Sequence, residues 1–161
     1  MHRLGLAGTA ILLTGATVSS IGCKHRSDAA PVLLFDGRGA SRGDVAAIES
    51  LLDDSGIAYD TAGSWGLDWM SEADLAAHRL LIVPGGDFMV MGKHLSGATG
   101  PKIRNAVEGG LGYLGICGGA LMAASAPDYK GFNLTGGVRF GFYADVNRGI
   151  HNRPTHHCGC Q

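Results

Sequence analysis

Residues 111–124, LGYLGICGGALMAA, contain the pattern that decides the fold. The apolar run at 111–116 predicts a buried strand, and the residues after Gly119 predict a helix. Cys117 stands at the turn between them, where flanking glycines accommodate strained backbone angles and leave room for an approaching ligand. Strand, sharp turn and helix with a thiol at the apex make a nucleophile elbow in which sulfur replaces oxygen.

Cys117 is therefore a candidate catalytic nucleophile. The helix that follows would direct free N–H groups and its positive dipole end at the sulfur, which favours the thiolate and offers oxyanion donors. The alternative is a small buried thiol held between two structural glycines. The pentapeptide alone leaves both interpretations open.

A second segment, LLIVPGG at residues 80–86, predicts a buried strand that breaks after Val83. Loops at the carboxyl ends of neighbouring parallel strands share one crevice, so Gly85 and Gly86 are expected beside Cys117. One of their N–H groups, together with that of Gly118, would form an oxyanion hole and bind substrate. An ordinary turn at a strand end is the alternative.

The chain resembles the class I glutamine amidotransferase-like superfamily through VLLFDGRGAS at 32–41, LLIVPGGD at 80–87 and GPKIRNAVEGGLGYLGICGGAL at 100–121. It is most similar to the amidotransferase-like domain at the N-terminus of eukaryotic biotin–protein ligases, which also occurs as free-standing bacterial proteins. The resemblance covers about residues 31–142. It implies a cysteine-dependent reaction on a small amide or peptide.

The catalytic base of that superfamily has no clear counterpart. In glutamine amidotransferases the base is a histidine of a His-x-Glu pattern downstream of the cysteine, and this chain has no such pattern. Leu121 also replaces the glutamine of the superfamily's elbow. His151 is the best candidate for the base. The alternative is a non-catalytic module that binds a small ligand or peptide, with residues 147–161 a tail of uncertain authenticity.

Strands predicted at 32–36, 57–60, 79–83 and 111–116 alternate with helices at 44–54, from 71, from 101 and at 120–124. This alternation predicts an α/β fold, a flavodoxin-like three-layer α/β/α sandwich with a mainly parallel sheet. Residues 61–70 and 87–100 are predicted loops. Residues 132–142 are predicted to form one or two strands.

Residues 1–22 form a predicted signal peptide, with a short basic start and an apolar run from Leu4 to Ile21. The sequence before Cys23 resembles a lipobox in which Ser20 replaces the usual leucine, so Cys23 is the predicted lipidation site. Residues 23–30 would be a tether, and 31–146 the amidotransferase-like domain. Export to the periplasm or cell envelope, with a possible lipid anchor, is expected. A transmembrane anchor or a misplaced start codon is the alternative.

Asp36 is a further candidate for binding substrate, because it ends the first strand and its carboxylate would orient a ligand amine. A turn-starting aspartate is the alternative. His94 is interpreted as a solvated loop histidine, and Asp44 and Glu49 as a helix cap and a solvated helix face. Trp65 and Trp69 would wall a pocket or pack in the core.

The 161 residues suit one domain, and a formal charge of −1 without a basic stripe argues against nucleic acid as a partner. A small molecule or peptide is the expected ligand, and the oligomeric state stays open. No cofactor is expected, since the elbow lacks the P-loop pattern. No metal is expected either, because the four His and Cys residues at 156–160 lack a standard zinc spacing. Biotin ligation needs a separate catalytic domain that a chain of this length does not contain.

Overall fold

A computed structural model describes residues 29–124 and 129–136, and within them the chain forms a parallel sheet of four strands in the order β2-β1-β3-β4. The strands are β1 (Val32–Phe35), β2 (Tyr59–Ala62), β3 (Leu80–Val83) and β4 (Gly112–Gly115). The helices are α1 (Arg42–Asp54), α2 (Ser64–Trp69), α3 (Glu72–Ala77), α4 (Phe88–Lys93), α5 (Thr99–Glu108) and α6 (Gly118–Met122).

Successive side chains of a strand point to opposite faces of the sheet, and helices cover the apolar side chains on both faces. Leu34 and Ile82 pack on one face with Leu52 of α1. Leu33 and Phe35 point to the other face, where they join a larger core built from α2 to α6. Helices on both faces of a parallel sheet make the α/β/α sandwich, and the predicted flavodoxin-like fold class is confirmed.

Helix α1 begins two residues before its predicted start because Ser41 caps it, accepting a hydrogen bond from the N–H of Asp44. It ends where predicted, just before Gly56, whose φ of 63° suits a glycine. Leu52 is the buried leucine of α1, whereas the side chain of Leu51 beside it is 65% exposed.

Two predicted loops were wrong. Residues 61–70 contain α2, a helix of six residues that buries Leu67 but lacks a side-chain cap. Residues 87–100 contain α4, which Asp87 caps by accepting a hydrogen bond from the N–H of Val90 at 3.1 Å. Such short helices show less than two turns of periodicity, so their hydrophobic pattern is weak.

The predicted strand region at 132–142 falls partly on described residues. Residues 132–136 form no strand, and 137–142 lie outside the described ranges. The predicted signal peptide and residues 23–28 of the tether lie outside them as well. Within residues 29–124 and 129–136, no helix has the length and hydropathy needed to span a membrane.

Candidate functional site

Cys117 occupies a strained turn between β4 and α6. Its backbone angles are φ 48° and ψ −110°, in a region that residues with a Cβ rarely adopt. Holding a non-glycine residue there costs about 1–3 kcal/mol, so the surrounding packing must enforce it. The side chain of Cys117 is half-buried.

Glycines enforce this turn by close packing on the neighbouring strand. A Cβ at Gly119 would collide with the carbonyl oxygen of Val83, at the end of β3. A Cβ at Gly118 would collide with the carbonyl oxygen of Gly86. From behind, the hydroxyl of Tyr113 donates a hydrogen bond to the carbonyl of Gly119 at 2.6 Å. Burial raises the pKa of this phenol far above its ordinary value.

The Pro-Gly-Gly turn after β3 lies against Cys117. A Cβ at Gly85 would be 3.5 Å from the Cβ of Cys117, and Gly118 contacts the backbone of Gly86. No acceptor within residues 29–124 and 129–136 is hydrogen-bonded to the N–H of Gly85, Gly86 or Gly118. The structure therefore brings together four of the residues that the sequence selected.

The loop between β1 and α1 is fixed to the same turn. The N–H of Ser41 donates to the carbonyl of Gly85 at 2.8 Å, and the N–H of Asp87 donates to the carbonyl of Gly39 at 2.8 Å. Ala40 and Gly86 thus form an isolated antiparallel bridge. This connection positions the first turn of α1 beside Cys117.

Asp44 lies in that first turn, close to Cys117. The sequence predicts only a capping role for Asp44. A Cβ at Gly85 would overlap Oδ2 of Asp44, so the carboxylate and the side chain of Cys117 flank the same glycine. The hydroxyl of Ser41 donates to the other oxygen, Oδ1, at 3.0 Å. The Ser41-x-x-Asp44 spacing predicts the helix cap, but no local sequence pattern predicts that Asp44 lies close to Cys117.

A carboxylate beside a thiol opposes formation of the thiolate. Helix α6 acts in the opposite direction, but it has five residues and a correspondingly small dipole.

Asp36 lies elsewhere. Its carboxylate faces Gly63, where a Cβ would be 3.6 Å from Oδ1, at the end of β2. It lines an open cleft of about 650 Å³ together with Arg38, Trp65, Asp68 and His94. The residues that line this cleft do not include Cys117, so the described structure separates Asp36 from the thiol.

Two proposed site residues, His151 and Cys23, lie outside the described residues. The two histidines within them are placed away from the elbow. His94 lines the cleft of Asp36, and buried His78 hydrogen-bonds through Nδ1 to the carbonyl of Ala30 at 2.7 Å. Residues 29–124 and 129–136 also contain no group of three His, Cys, Asp or Glu side chains that would hold a metal ion.

Comparison with known proteins identifies the family. No curated protein and no solved structure matches the chain significantly. The family model for the biotin–protein ligase N-terminal domain matches residues 30–153, which is most of the chain. The resemblance inferred from the sequence motifs is thereby confirmed, and the chain belongs to the family of biotin–protein ligase N-terminal domains.

Proposed function

We propose that the protein is an exported hydrolase of small amides or peptides that uses Cys117 as its nucleophile. The observation that supports this best is the strained backbone of Cys117, φ 48°, on a turn packed against Gly85, Gly86 and Gly118. Strain of this kind persists only where surrounding contacts enforce it, and it concentrates at functional sites.

In the proposed reaction the sulfur of Cys117 attacks the carbonyl carbon of the substrate. The thiol proton passes to Asp44, and the N–H groups of Gly86 and Gly118 stabilise the oxyanion. The intermediate collapses to a thioester while the leaving nitrogen takes the proton. Water then hydrolyses the thioester, which releases the acid and restores the thiol.

The strength of the base limits this chemistry. An ordinary thiol and an ordinary carboxyl differ by more than four pKa units, so moving the proton costs about 6 kcal/mol. A carboxylate acting alone therefore supports slow turnover. His151 would be a stronger base, since the pKa of an ordinary imidazole lies close to neutral pH.

The test is hydrolysis of p-nitrophenyl acetate and alanine p-nitroanilide by protein beginning at Lys24. Cys117→Ser should lower the rate at least about hundredfold, and Asp44→Asn should lower it about hundredfold, a typical loss for a proton-transfer group. Glu49→Gln, which removes another acid of α1, is the matched control and should leave the rate unchanged. A rate equal in the parent protein and Cys117→Ser would refute the proposal.

The role of His151 is decided in the same assay. A loss in His151→Ala as large as that in Cys117→Ser would assign the base to His151 and reduce Asp44 to a positioning residue. An unchanged rate in His151→Ala, combined with a loss in Asp44→Asn, would assign the base to Asp44.

A second candidate function is a binding module without catalysis. The proximity of the Asp44 carboxylate to Cys117 favours this function, since a neighbouring negative charge opposes formation of a thiolate. In that case Cys117 would be alkylated slowly and neither chromogenic substrate would turn over. The crevice at Gly85, Gly86 and Gly118 would instead hold a small ligand or a peptide.

The proposed location is the periplasm or cell envelope, with a lipid on Cys23. This part of the proposal depends on the sequence pattern of residues 1–23 alone.

A further inference from the structure

We propose that the cleft of about 650 Å³ beside Asp36 binds a zwitterionic ligand of the α-amino acid or dipeptide class. This site is separate from Cys117 and does not depend on the proposed hydrolysis. Its volume falls within the range of small-molecule sites, about 300–1,000 Å³. It is called the Asp36 cleft below and is lined by Asp36, Arg38, Trp65, Asp68, His94 and adjoining glycines.

The cleft opens at the carboxyl ends of β1 and β2, whereas Cys117 follows β4 at the other edge of the sheet. Its floor contains Gly37 and Gly63. A Cβ at Gly37 would collide with the ring of Phe35 and lie 2.5 Å from the backbone nitrogen of Ser64. Gly37 is thus required by close packing, whereas the missing side chain at Gly63, whose Cβ would lie 3.6 Å from Oδ1 of Asp36, leaves that carboxylate accessible to a small ligand.

The walls of the cleft are held by hydrogen bonds of their own. The N–H of Arg38 donates to Oγ of Ser64 at 3.0 Å. Asp68 accepts from the N–H of Ser96 at 2.9 Å and from the hydroxyl of Thr99, so its carboxylate is already engaged. Fixed walls reduce the ordering cost of binding.

Asp36 and Arg38, by contrast, leave their charges to solvent. Both are exposed, and within residues 29–124 and 129–136 neither side chain forms an ion pair or a hydrogen bond. One residue separates them, so their Cα atoms are at most about 7 Å apart. A carboxylate and a guanidinium at this spacing complement an ammonium and a carboxylate on one short ligand.

Trp65 supplies an aromatic surface at the same cleft. Its side chain is 75% exposed, and Trp69, 76% exposed, contacts it edge to face with ring centroids 6.3 Å apart. An indole face attracts an ammonium ion, and covering it with a ligand side chain removes apolar surface from water. The aromatic face, the carboxylate and the guanidinium together favour a zwitterion over a neutral ligand.

Binding is tested by following tryptophan fluorescence and heat release while the dipeptide Ala-Ala is added to protein beginning at Lys24. We expect saturable binding in the micromolar to millimolar range. N-acetyl-Ala-Ala-amide, which has the same backbone without charged ends, should bind at least about tenfold more weakly.

The variants assign the charges. Asp36→Asn and Arg38→Gln should each weaken Ala-Ala binding about tenfold or more. Asp36→Asn, but not Arg38→Gln, should also reduce the difference in affinity between Ala-Ala and its N-acetylated form. Asp54→Asn, which removes an acid at the far end of α1, is the matched control and should bind like the parent.

Cys117→Ser should also bind Ala-Ala normally, which separates this site from the proposed catalytic one. Absence of saturable binding, equal affinity for the blocked dipeptide, or saturable binding of a neutral sugar such as glucose in its place would each overturn the proposal. Heat release provides the readout if the indoles do not respond.

Discussion

Cys117, Gly85, Gly86 and Gly118 lie together because they belong to the segments that directly follow the neighbouring strands β3 and β4. Their positions were predictable from the sequence, since a glycine-flanked turn after an apolar run is a local pattern. Asp44 was not predictable as a neighbour of Cys117. A capping role accounts for the presence of Asp44 in the sequence, whereas its contact with Gly85 depends on tertiary packing.

Gly85→Ala tests the contact between Asp44 and this turn. The new Cβ would overlap Oδ2 of Asp44, the mobile end of a side chain, while making ordinary contact with Cys117 at 3.5 Å. The carboxylate should therefore move away and the fold should remain. We expect alkylation of Cys117 at pH 7 to become several-fold faster, as the repelling charge recedes.

The control for Gly85→Ala is Gly97→Ala, where an added Cβ meets nothing within 4 Å. Alkylation rates are measured by mass spectrometry after iodoacetamide treatment. An unchanged or slower rate in Gly85→Ala would show that Asp44 does not influence the thiol.

At the scale of elements, the strands, the long helices and the short helices α3 and α6 were predictable, whereas the short helices α2 and α4 were not. Helix α5 has an apolar face of Ile103, Ala106 and Val107 that extends over more than one turn. Strand β2 begins two residues later than expected, at Tyr59, because its pairing with β1 fixes Tyr59 opposite Val32. Register of this kind is a tertiary property that a four-residue strand does not encode alone.

The packing of α6 on β3 predicts the cost of a larger residue at Gly119. A Cβ there would collide with the carbonyl of Val83 and lie 2.8 Å from that of Pro84, and neither backbone group can rotate away. Gly119→Ala should destabilise the protein by about 3 kcal/mol.

Urea unfolding followed by circular dichroism measures this cost, with Gly97→Ala expected to change stability by less than about 0.5 kcal/mol. Equal stability of the two variants would mean that α6 does not pack on β3 as described.

Tyr113 connects β4 to α6 and gives the fold a dependence on high pH. Burial raises the pKa of Tyr113, so the folded protein keeps the phenol protonated where the unfolded chain, with an ordinary value near 10, releases the proton. This contribution to stability is complete below about pH 10 and is lost as the pH rises above it.

Tyr113→Phe removes both the hydrogen bond to Gly119 and this titration. It should cost about 1 kcal/mol at pH 7. Its free energy of unfolding should also decline less steeply above pH 10, as urea unfolding across pH 7–11 would show. Parallel decline in the parent protein and the variant would contradict the assignment to Tyr113.

At the scale of the whole molecule, alternation of strands and helices predicted three layers and a parallel sheet. The strand order β2-β1-β3-β4 places the loops after β1 and β3 side by side. Packing between elements sets this order, so no single segment of the sequence predicts it. Because β2 and β4 are the two edge strands, the Asp36 cleft next to β2 and Cys117 after β4 lie towards different edges of the sheet.

The proposed lipid on Cys23 would determine where the whole protein is located. In a bacterial host, Cys23→Ala should remove the lipid attachment site while leaving residues 30–153, the matched domain, unchanged. We expect the parent protein in the membrane fraction and the variant released from it or retained uncleaved. Identical mass and fractionation of both would show that Cys23 is not lipidated.

The most direct test of the central claim, that Cys117 is an accessible nucleophile beside the Asp44 carboxylate, is the pH dependence of its alkylation. The measurement compares protein beginning at Lys24 with Asp44→Asn, and Cys117→Ser gives the background from the other cysteines. We predict that the thiol is accessible and that Asp44→Asn is alkylated several-fold faster at pH 7, because removing the carboxylate favours the thiolate. An inaccessible thiol, or identical titration in both proteins, would contradict the account.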